Sequence, residues 1–306
     1  MLQRLQTEQI EGIIAVAAFN ISDLARLVLK EEPYLVFTLL EVGARPLSGN
    51  REPFYCLPEL FPGSRVIAFE VDEGLCQKLN AEAPHGVHYV SVALGRENRT
   101  QLFYETVHPM CSSLYQPDEL LMRSYQNLDV AMLKRVSTVA VNSLDCFMEQ
   151  HGVGDADFIK IDVQGAELDV FQGGSMTLQQ VLWVVSEVEF VPLYVDQPLF
   201  GDVCSYLASK ELMFHKFLGL SGRALKPVVV EHDQNAAVQQ LWADAVFMRN
   251  VFKLYELSFE KLLKMGVLAF LYGSPDVTMQ CFKRYDAGRG RSLHQEFFEL
   301  LQPAAS

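Results

Sequence analysis

Five carboxylates close or punctuate apolar runs in this sequence, and they are the residues whose type and spacing could do chemistry. Glu41 is the penultimate residue of the run YLVFTLLEV at 34–42, and Glu70 ends RVIAFE at 65–70. Asp162 follows FIKI at 158–161, and Glu187 and Glu189 lie in VLWVVSEVE at 181–189. A short apolar run closed by an acid reads as a buried strand with a charge at its carboxyl end. In open α/β sheets the ligand crevice lies at those ends. A carboxylate there can accept two hydrogen bonds from a diol, or take a proton from a hydroxyl. Glu187 and Glu189 are two apart, so on a strand they point to one face. With Asp162 from a neighbouring strand they could hold a substrate hydroxyl, or a divalent ion through oxygen ligands. These residues alone assign no metal site. Spacing also allows plainer roles: Asp162 could cap the helix that follows Gly165, and Asp72 could cap a helix just after Glu70.

Glycine adds a second signal. Gly43 follows Glu41 by two residues and would let the backbone approach a ligand. The fuller GxGxxG fingerprint is missing, because Arg45 follows Gly43 closely and the next glycine is Gly49. His108 and His215 lie in segments that could reach the same strand ends. Tyr194 and Phe200, after the 181–189 run, could wall an acceptor pocket or simply pack.

The elements that must position these residues alternate between strand and helix. Strand patterns fall at 34–42, 65–70, 87–94, 99–106 (an edge strand), 136–141, 158–161, 181–189, 212–217 and 243–249. Helical patterns fall at 75–81, 144–151, 166–171 and 199–210, with a short one near 54–60. Such alternation gives a mainly parallel sheet. A polar excursion at 107–135, containing Cys111 to Tyr115, reads as a substrate lid. Residues 1–32 read as a helical segment: Ile10, Ile13, Ile14 and Ala17 recur at helical spacing, and Ser22-Asp23 can cap a helix over 24–30. Beyond Asn250 the periodicity is helical over 254–270 and again near 297–301. The expected division is therefore a helical segment at 1–32, a catalytic domain at 33–250 and a helical extension at 251–306. That extension would pack on the core or make a homodimer.

Composition narrows the partners. The 306 residues carry 25 basic and 38 acidic side chains, a formal charge of -13. Nucleic acid is a poor partner for such a surface. Six scattered cysteines without a CxxC pair argue against a disulfide framework or a metal knuckle, and point to a reducing cytoplasm. The early apolar run at 13–19 is too short to span a bilayer, and Glu8 and Glu11 before it are wrong for a signal peptide.

The stretch KIDVQGAELDVFQGG at 160–174 resembles the signature of FkbM-type S-adenosylmethionine-dependent methyltransferases, which usually reads KIDVEGAE before a helix and a Gly-Ala or Gly-Gly. FEVDEGLCQKLNA, VSVALG, SSLYQ, SEVEFVPLYVDQPLFGDV and ADAVFMRN stand in the order of that family. The resemblance runs from about Leu35 to Asn250. It implies a Rossmann-like, seven-stranded class I methyltransferase fold with one antiparallel strand. It implies S-adenosyl-L-methionine as cofactor, with Glu41, Gly43 and Ala44 near the methionyl part. Glu70, followed by Val71, would bind the ribose hydroxyls, and Val92-Ala93 would flank the adenine. Asp162 and Gln164 would lie beside the transferred methyl, with Asp162, Glu187 and Glu189 as candidate bases. The implied activity is O-methylation of a small-molecule or glycan hydroxyl. A methyltransferase-like binding module and a nicotinamide-dependent oxidoreductase are the alternatives. Three departures stand out: Glu41 where many methyltransferases have Asp, Arg45 in a glycine-poor loop, and Gln164 where the family often has Glu.

Overall fold

The computed structural model describes residues 20–46 and 52–301. Seven strands form the main sheet: β1 (Thr38–Val42), β2 (Arg65–Glu70), β3 (Val87–Ser91), β7 (Phe158–Ile161), β8 (Trp183–Glu189), β9 (Leu212–Arg223) and β10 (Gln239–Arg249). Their order is β3-β2-β1-β7-β8-β10-β9. The pairs from β3 to β8 are parallel, and β10 runs antiparallel to both β8 and β9. This is the Rossmann-like methyltransferase sheet expected from the sequence. Three further strands, β4 (Ala93–Gly95), β5 (Arg99–Thr106) and β6 (Leu133–Ser143), form a separate sheet in the order β4-β6-β5.

The central strands are mainly apolar because both faces of the sheet are covered, with Glu41, Lys160, Ser186, Glu187 and Glu189 among the polar exceptions. Successive side chains go to opposite cores. Leu39, Phe158, Trp183, Val185 and Val246 enter one, and Leu40, Ile159, Ile161, Val184 and Phe247 enter the other. The first core also takes Leu24, Leu27 and Val28 from the helix Ile21–Glu31, and Leu263, Val267, Phe282 and Phe297 from the tail helices. The extension thus packs on the sheet and on the first described helix. Among the described residues no helix is long and apolar enough to cross a membrane.

Several boundaries differ from the sequence reading. The helix begins at Ile21 and its cap is Asn20, not Ser22-Asp23. Asn20 Oδ1 accepts from the Ser22 and Asp23 amides at 2.9 and 3.2 Å, while Asp23 accepts from the Asn20 amide at 3.1 Å. That reciprocal pair is a capping box, with Asp taking the place of Glu. Residues 10–17, read as helical, lie outside the described residues. The first strand starts at Thr38 rather than Tyr34, and Tyr34 and Val36 are exposed. The run 87–94 is broken: the Val92 amide bonds back to the Val90 carbonyl at 3.0 Å, a three-residue turn that sends Ala93 into the second sheet. The 99–106 strand lies at the edge of that second sheet. The helix Pro275–Arg289 was not anticipated. Its buried stripe includes Thr278, Cys281 and Asp286, which hide the apolar period.

One buried ion pair ties the tail to the sheet. Lys264 Nζ lies 3.1 Å from both carboxylate oxygens of Asp157, and Asp157 Oδ2 also accepts from the Thr38 amide at 2.9 Å. Both side chains are buried. Glu260 Oε1, on the exposed side, also lies 2.7 Å from Lys264 Nζ, so removing Asp157 leaves Lys264 a partner, whereas removing Lys264 leaves the buried Asp157 charge uncompensated. Lys264→Met is therefore expected to cost about 3–5 kcal/mol in urea unfolding. A loss under about 1 kcal/mol would show that the pair contributes only as an exposed bridge does.

Candidate active site

The site is built where β1, β2 and β7 end together. Gly43 has φ +84, and a Cβ there would lie 1.9 Å from the Asp162 carbonyl oxygen. The turn after β1 therefore presses on the end of β7, which only glycine permits. It is pinned from both sides. The Gly43 and Ala44 amides donate to the Phe69 carbonyl at 3.0 and 2.9 Å, and the Asp162 amide donates to Val42 at 2.9 Å.

Glu70 is buried at the end of β2. Its Oε1 accepts from the Asp72 amide at 2.9 Å and from Arg45 Nη2 at 3.1 Å. Asp72 caps the helix Glu73–Glu82 through the Leu75 amide at 3.0 Å. The capping reading holds for Asp72, then, while Glu70 stands apart from it.

A cavity of about 520 Å³ opens above these strand ends. Gly43, Glu70, Val71, Val92, Ala93, Asp162 and Gln164 line one side, and Phe103, Glu105, Arg135 and Ser137 of the second sheet line another. Met110, Ser112 and Ser113 from the 107–135 excursion lie on its wall as well. Glu41, Ala44, Glu187 and Glu189 are not on that wall. Ala44 is buried in the tail-side core. Glu41 accepts a hydrogen bond from the Tyr55 hydroxyl, and burial, offset by that bond, pushes its pKa up to about 7.

Behind the cavity, carboxylates converge. Oxygens of Asp162, Glu167 and Glu187 lie within 4.8 Å of one another. Gln164, at φ +58, stands between them. Its Nε2 donates to Asp162 Oδ1 at 2.8 Å and to Glu187 Oε2 at 2.6 Å. The Tyr194 hydroxyl lies 3.2 Å from Gln164 Oε1 and 2.7 Å from the Cys111 carbonyl, and Ser113 Oγ donates to the Gln164 carbonyl at 2.7 Å. The excursion is thereby fastened to the acid cluster. Burial raises the pKa of Glu187 and Glu189, and the charge of Asp162 adds to both. Burial also lifts Glu167 to about 7, although it accepts from the Val163 amide at 2.8 Å.

Asp162 does not cap the next helix. The cap position there is Ala166, with no side-chain bond, so that alternative falls. Of the histidines, His108 accepts from the Met110 amide at 3.4 Å, and His215 pairs with Ser274 at 2.8 Å on the tail side. Phe200 packs in a ring cluster with Phe190, Phe214 and Phe217, not on the cavity. Two participants were missed. Glu167 was visible only as the second acid of the GAE tripeptide. Lys160 sits buried beside Asp244, Nζ to Oδ1 2.7 Å. Burial works against its charge, but Asp244, Asp162 and Glu52 together outweigh it and raise its pKa. A lysine inside an apolar strand carries no sign of the Asp244 that balances it from a strand 84 residues away.

The methyltransferase FkbM domain matches residues 41–215, more than half of the chain. The 2-O-methyltransferase NoeI of Sinorhizobium fredii (strain NBRC 101917 / NGR234) is 33% identical over 88 residues, which cover 29% of this chain and 36% of NoeI. The matched segment thus spans about a third of that relative. Among solved structures, the magnesium protoporphyrin IX methyltransferase ChlM from Synechocystis PCC 6803 with bound SAM aligns over 81% of this chain and 82% of its own, at 8% identity and a TM-score of 0.36. A variant of LepI, in complex with SAH and a substrate analogue, aligns over 72% of this chain and 44% of its own, at 10% identity and a TM-score of 0.29. Those two likenesses carry no weight at such scores; the domain match does, and by it the chain belongs to the FkbM methyltransferase family.

Proposed function

We propose that this protein is an S-adenosylmethionine-dependent O-methyltransferase whose acceptor is a hydroxyl of a sugar, glycan or other secondary metabolite. The carrying observation is the one cavity that joins Gly43, Glu70, Val92-Ala93 and Asp162. These residues fit the cofactor. Gly43 brings the turn after β1 close against the Asp162 carbonyl, which puts the ends of β1 and β7 side by side on the cavity wall. Both side-chain hydrogen bonds of Glu70 use Oε1, which leaves Oε2 for a ribose hydroxyl. Val71 and Val92 offer apolar surface to an adenine ring.

When bound, the cofactor supplies an electrophilic sulfonium methyl. The chain's own residues supply position and proton transfer. Asp162 is the acid of the cluster that reaches the cavity wall, together with Gln164. Gln164 holds Oδ1, so Oδ2 is left to accept the proton of an acceptor hydroxyl. Glu187 stands one hydrogen bond behind, through the Gln164 amide. Phe103, Glu105, Arg135 and Ser137 would meet the far side of the acceptor.

Isothermal calorimetry with S-adenosylhomocysteine, the demethylated product, tests the cofactor. Saturable one-to-one binding is expected. Folded protein that binds neither this nor S-adenosylmethionine sinks the proposal. Transfer of labelled methyl to a panel of glycosides and oligosaccharides then tests the acceptor. Label appearing only on nitrogen, carbon or carboxyl acceptors would overturn the O-methyl reading.

A further inference from the structure

Arg45 is the residue the motif reading could not place, and its surroundings give it a task. In a glycine-rich turn, backbone amides are left to face a ligand. Here the Gly43 and Ala44 amides are both committed to the Phe69 carbonyl. The next residue brings a guanidinium instead, and that residue lines the cavity. Arg45 Nη2 reaches Glu70 Oε1 at 3.1 Å and Asp72 Oδ2 at 3.2 Å. The Asp72 amide holds the same Glu70 oxygen at 2.9 Å. One oxygen of Glu70 is thus gripped from two directions, while Oε2 makes no hydrogen bond to the described residues.

Resting on the cofactor reading above, we propose that Arg45 is a positioning residue for ribose recognition: it fixes Oε1 of Glu70 and balances that charge, so that Oε2 is presented to the diol. A plain surface ion pair does not account for the arrangement. The Glu70 side chain is 5% exposed and that of Arg45 is 25% exposed, so the pair faces the cavity and not open solvent. Asp72 needs no arginine to do its own work, since it already caps its helix through Leu75.

Two probes and a double-mutant cycle test this. S-Adenosylhomocysteine carries the ribose and an amino-acid tail, whereas 5′-methylthioadenosine carries the ribose without the tail. Arg45→Met is expected to weaken both by a similar factor of about ten, the worth of one charge-assisted hydrogen bond. Arg45→Lys should recover part of the loss, since it restores the charge without the fork. In a Glu70→Gln background, Arg45→Met should have little further effect, because the arginine acts through Glu70. Thermal unfolding of each variant, checked alongside, should stay near wild type. Loss for S-adenosylhomocysteine alone would overturn the proposal and make Arg45 a reader of the amino-acid carboxylate. Additive losses with Glu70→Gln, or no loss in Arg45→Met, would overturn it too. Wild-type protein that binds neither probe removes the cofactor reading itself. Wild-type binding with an unchanged Arg45→Met removes this inference alone.

Discussion

Gly43→Ala is expected to raise the Kd for S-adenosylhomocysteine by at least about a hundredfold while leaving the overall fold in place. Two costs act together. The residue sits at φ +84, and a left-handed conformation costs a side-chain-bearing residue about 1–2 kcal/mol. The larger cost is steric. An alanine Cβ would lie 1.9 Å from the Asp162 carbonyl oxygen and 2.9 Å from its carbon. These are backbone atoms, so no rotamer change relieves the clash. The turn after β1 and the end of β7 must separate, yet the Val42 carbonyl holds the Asp162 amide and the Phe69 carbonyl holds the Gly43 amide. Whatever moves, the wall bearing Gly43 and Asp162 is displaced, and about an ångström of displacement suffices to cost two orders of magnitude in a positioned site. Gly201→Ala is the control. It lies inside the helix Phe200–Ser209, with open space at its Cβ position, and should bind normally with equal or slightly higher stability. Calorimetry and thermal unfolding on both variants give the answer. A Gly43→Ala protein that binds as wild type would show that the turn does not shape the ligand site.

Much of the site's frame was legible because parallel strands buried on both faces leave continuous apolar runs. RVIAFE at 65–70 became β2 without a residue's error, and Asp162 follows β7 as read. The strand-end rule pointed to Gly43, Glu70 and Asp162, the family resemblance added Val92 and Ala93, and all five line one cavity. What escaped was tertiary. Glu41 stands one residue before the end of β1, whereas Glu70 is the last of β2, and the Glu41 side chain points to the tail-side core, where Tyr55 holds it. Alternation along β1 decides this: Glu41 is in phase with Leu39, and Leu39 belongs to that core. Glu187 and Glu189 do share a face, yet Gln164 stands between Glu187 and the cavity, and no spacing rule reveals a residue at φ +58. The second sheet was read only as loose strands, because the turn at Val92 that separates it from β3 lies inside an unbroken run of strand formers.

The acid cluster, together with the separately buried Glu41, sets the second large expectation, that stability falls as pH rises from about 5 to 8. Glu41 and Glu167 titrate in the folded protein near 7, against 4.5 when unperturbed, and Glu187 and Glu189 are raised well above that value. Burial is the main cause for each. An acid with a raised folded pKa keeps a proton that the unfolded chain releases once pH passes about 4.5. Across that window the native state binds more protons than the unfolded one, so the slope of unfolding free energy with pH is negative. The stabilising proton is fully present below about 4.5 and is lost as pH climbs through 7. Glu167, Glu187 and Glu189 crowd one cluster and so are less than additive; with Glu41 they should cost several kcal/mol, or about 10 °C in Tm, between pH 5 and 8. Gln164→Glu should steepen that loss. The amide donates to Asp162 and Glu187 at once, whereas a carboxylic acid has one hydrogen to give and a carboxylate has none. Near pH 5 the variant should lose about one hydrogen bond, on the order of 1 kcal/mol; near pH 8 it adds a charge to a crowded acidic cluster. Urea unfolding at pH 5, 6.5 and 8 separates the cases. Equal stability of wild type at the two extremes, or a Gln164→Glu curve parallel to it, would mean that the cluster does not hold its protons. If both trends appear, a protonated Glu187 stands one side chain, Gln164, behind Asp162, the residue proposed to take the proton of the acceptor hydroxyl.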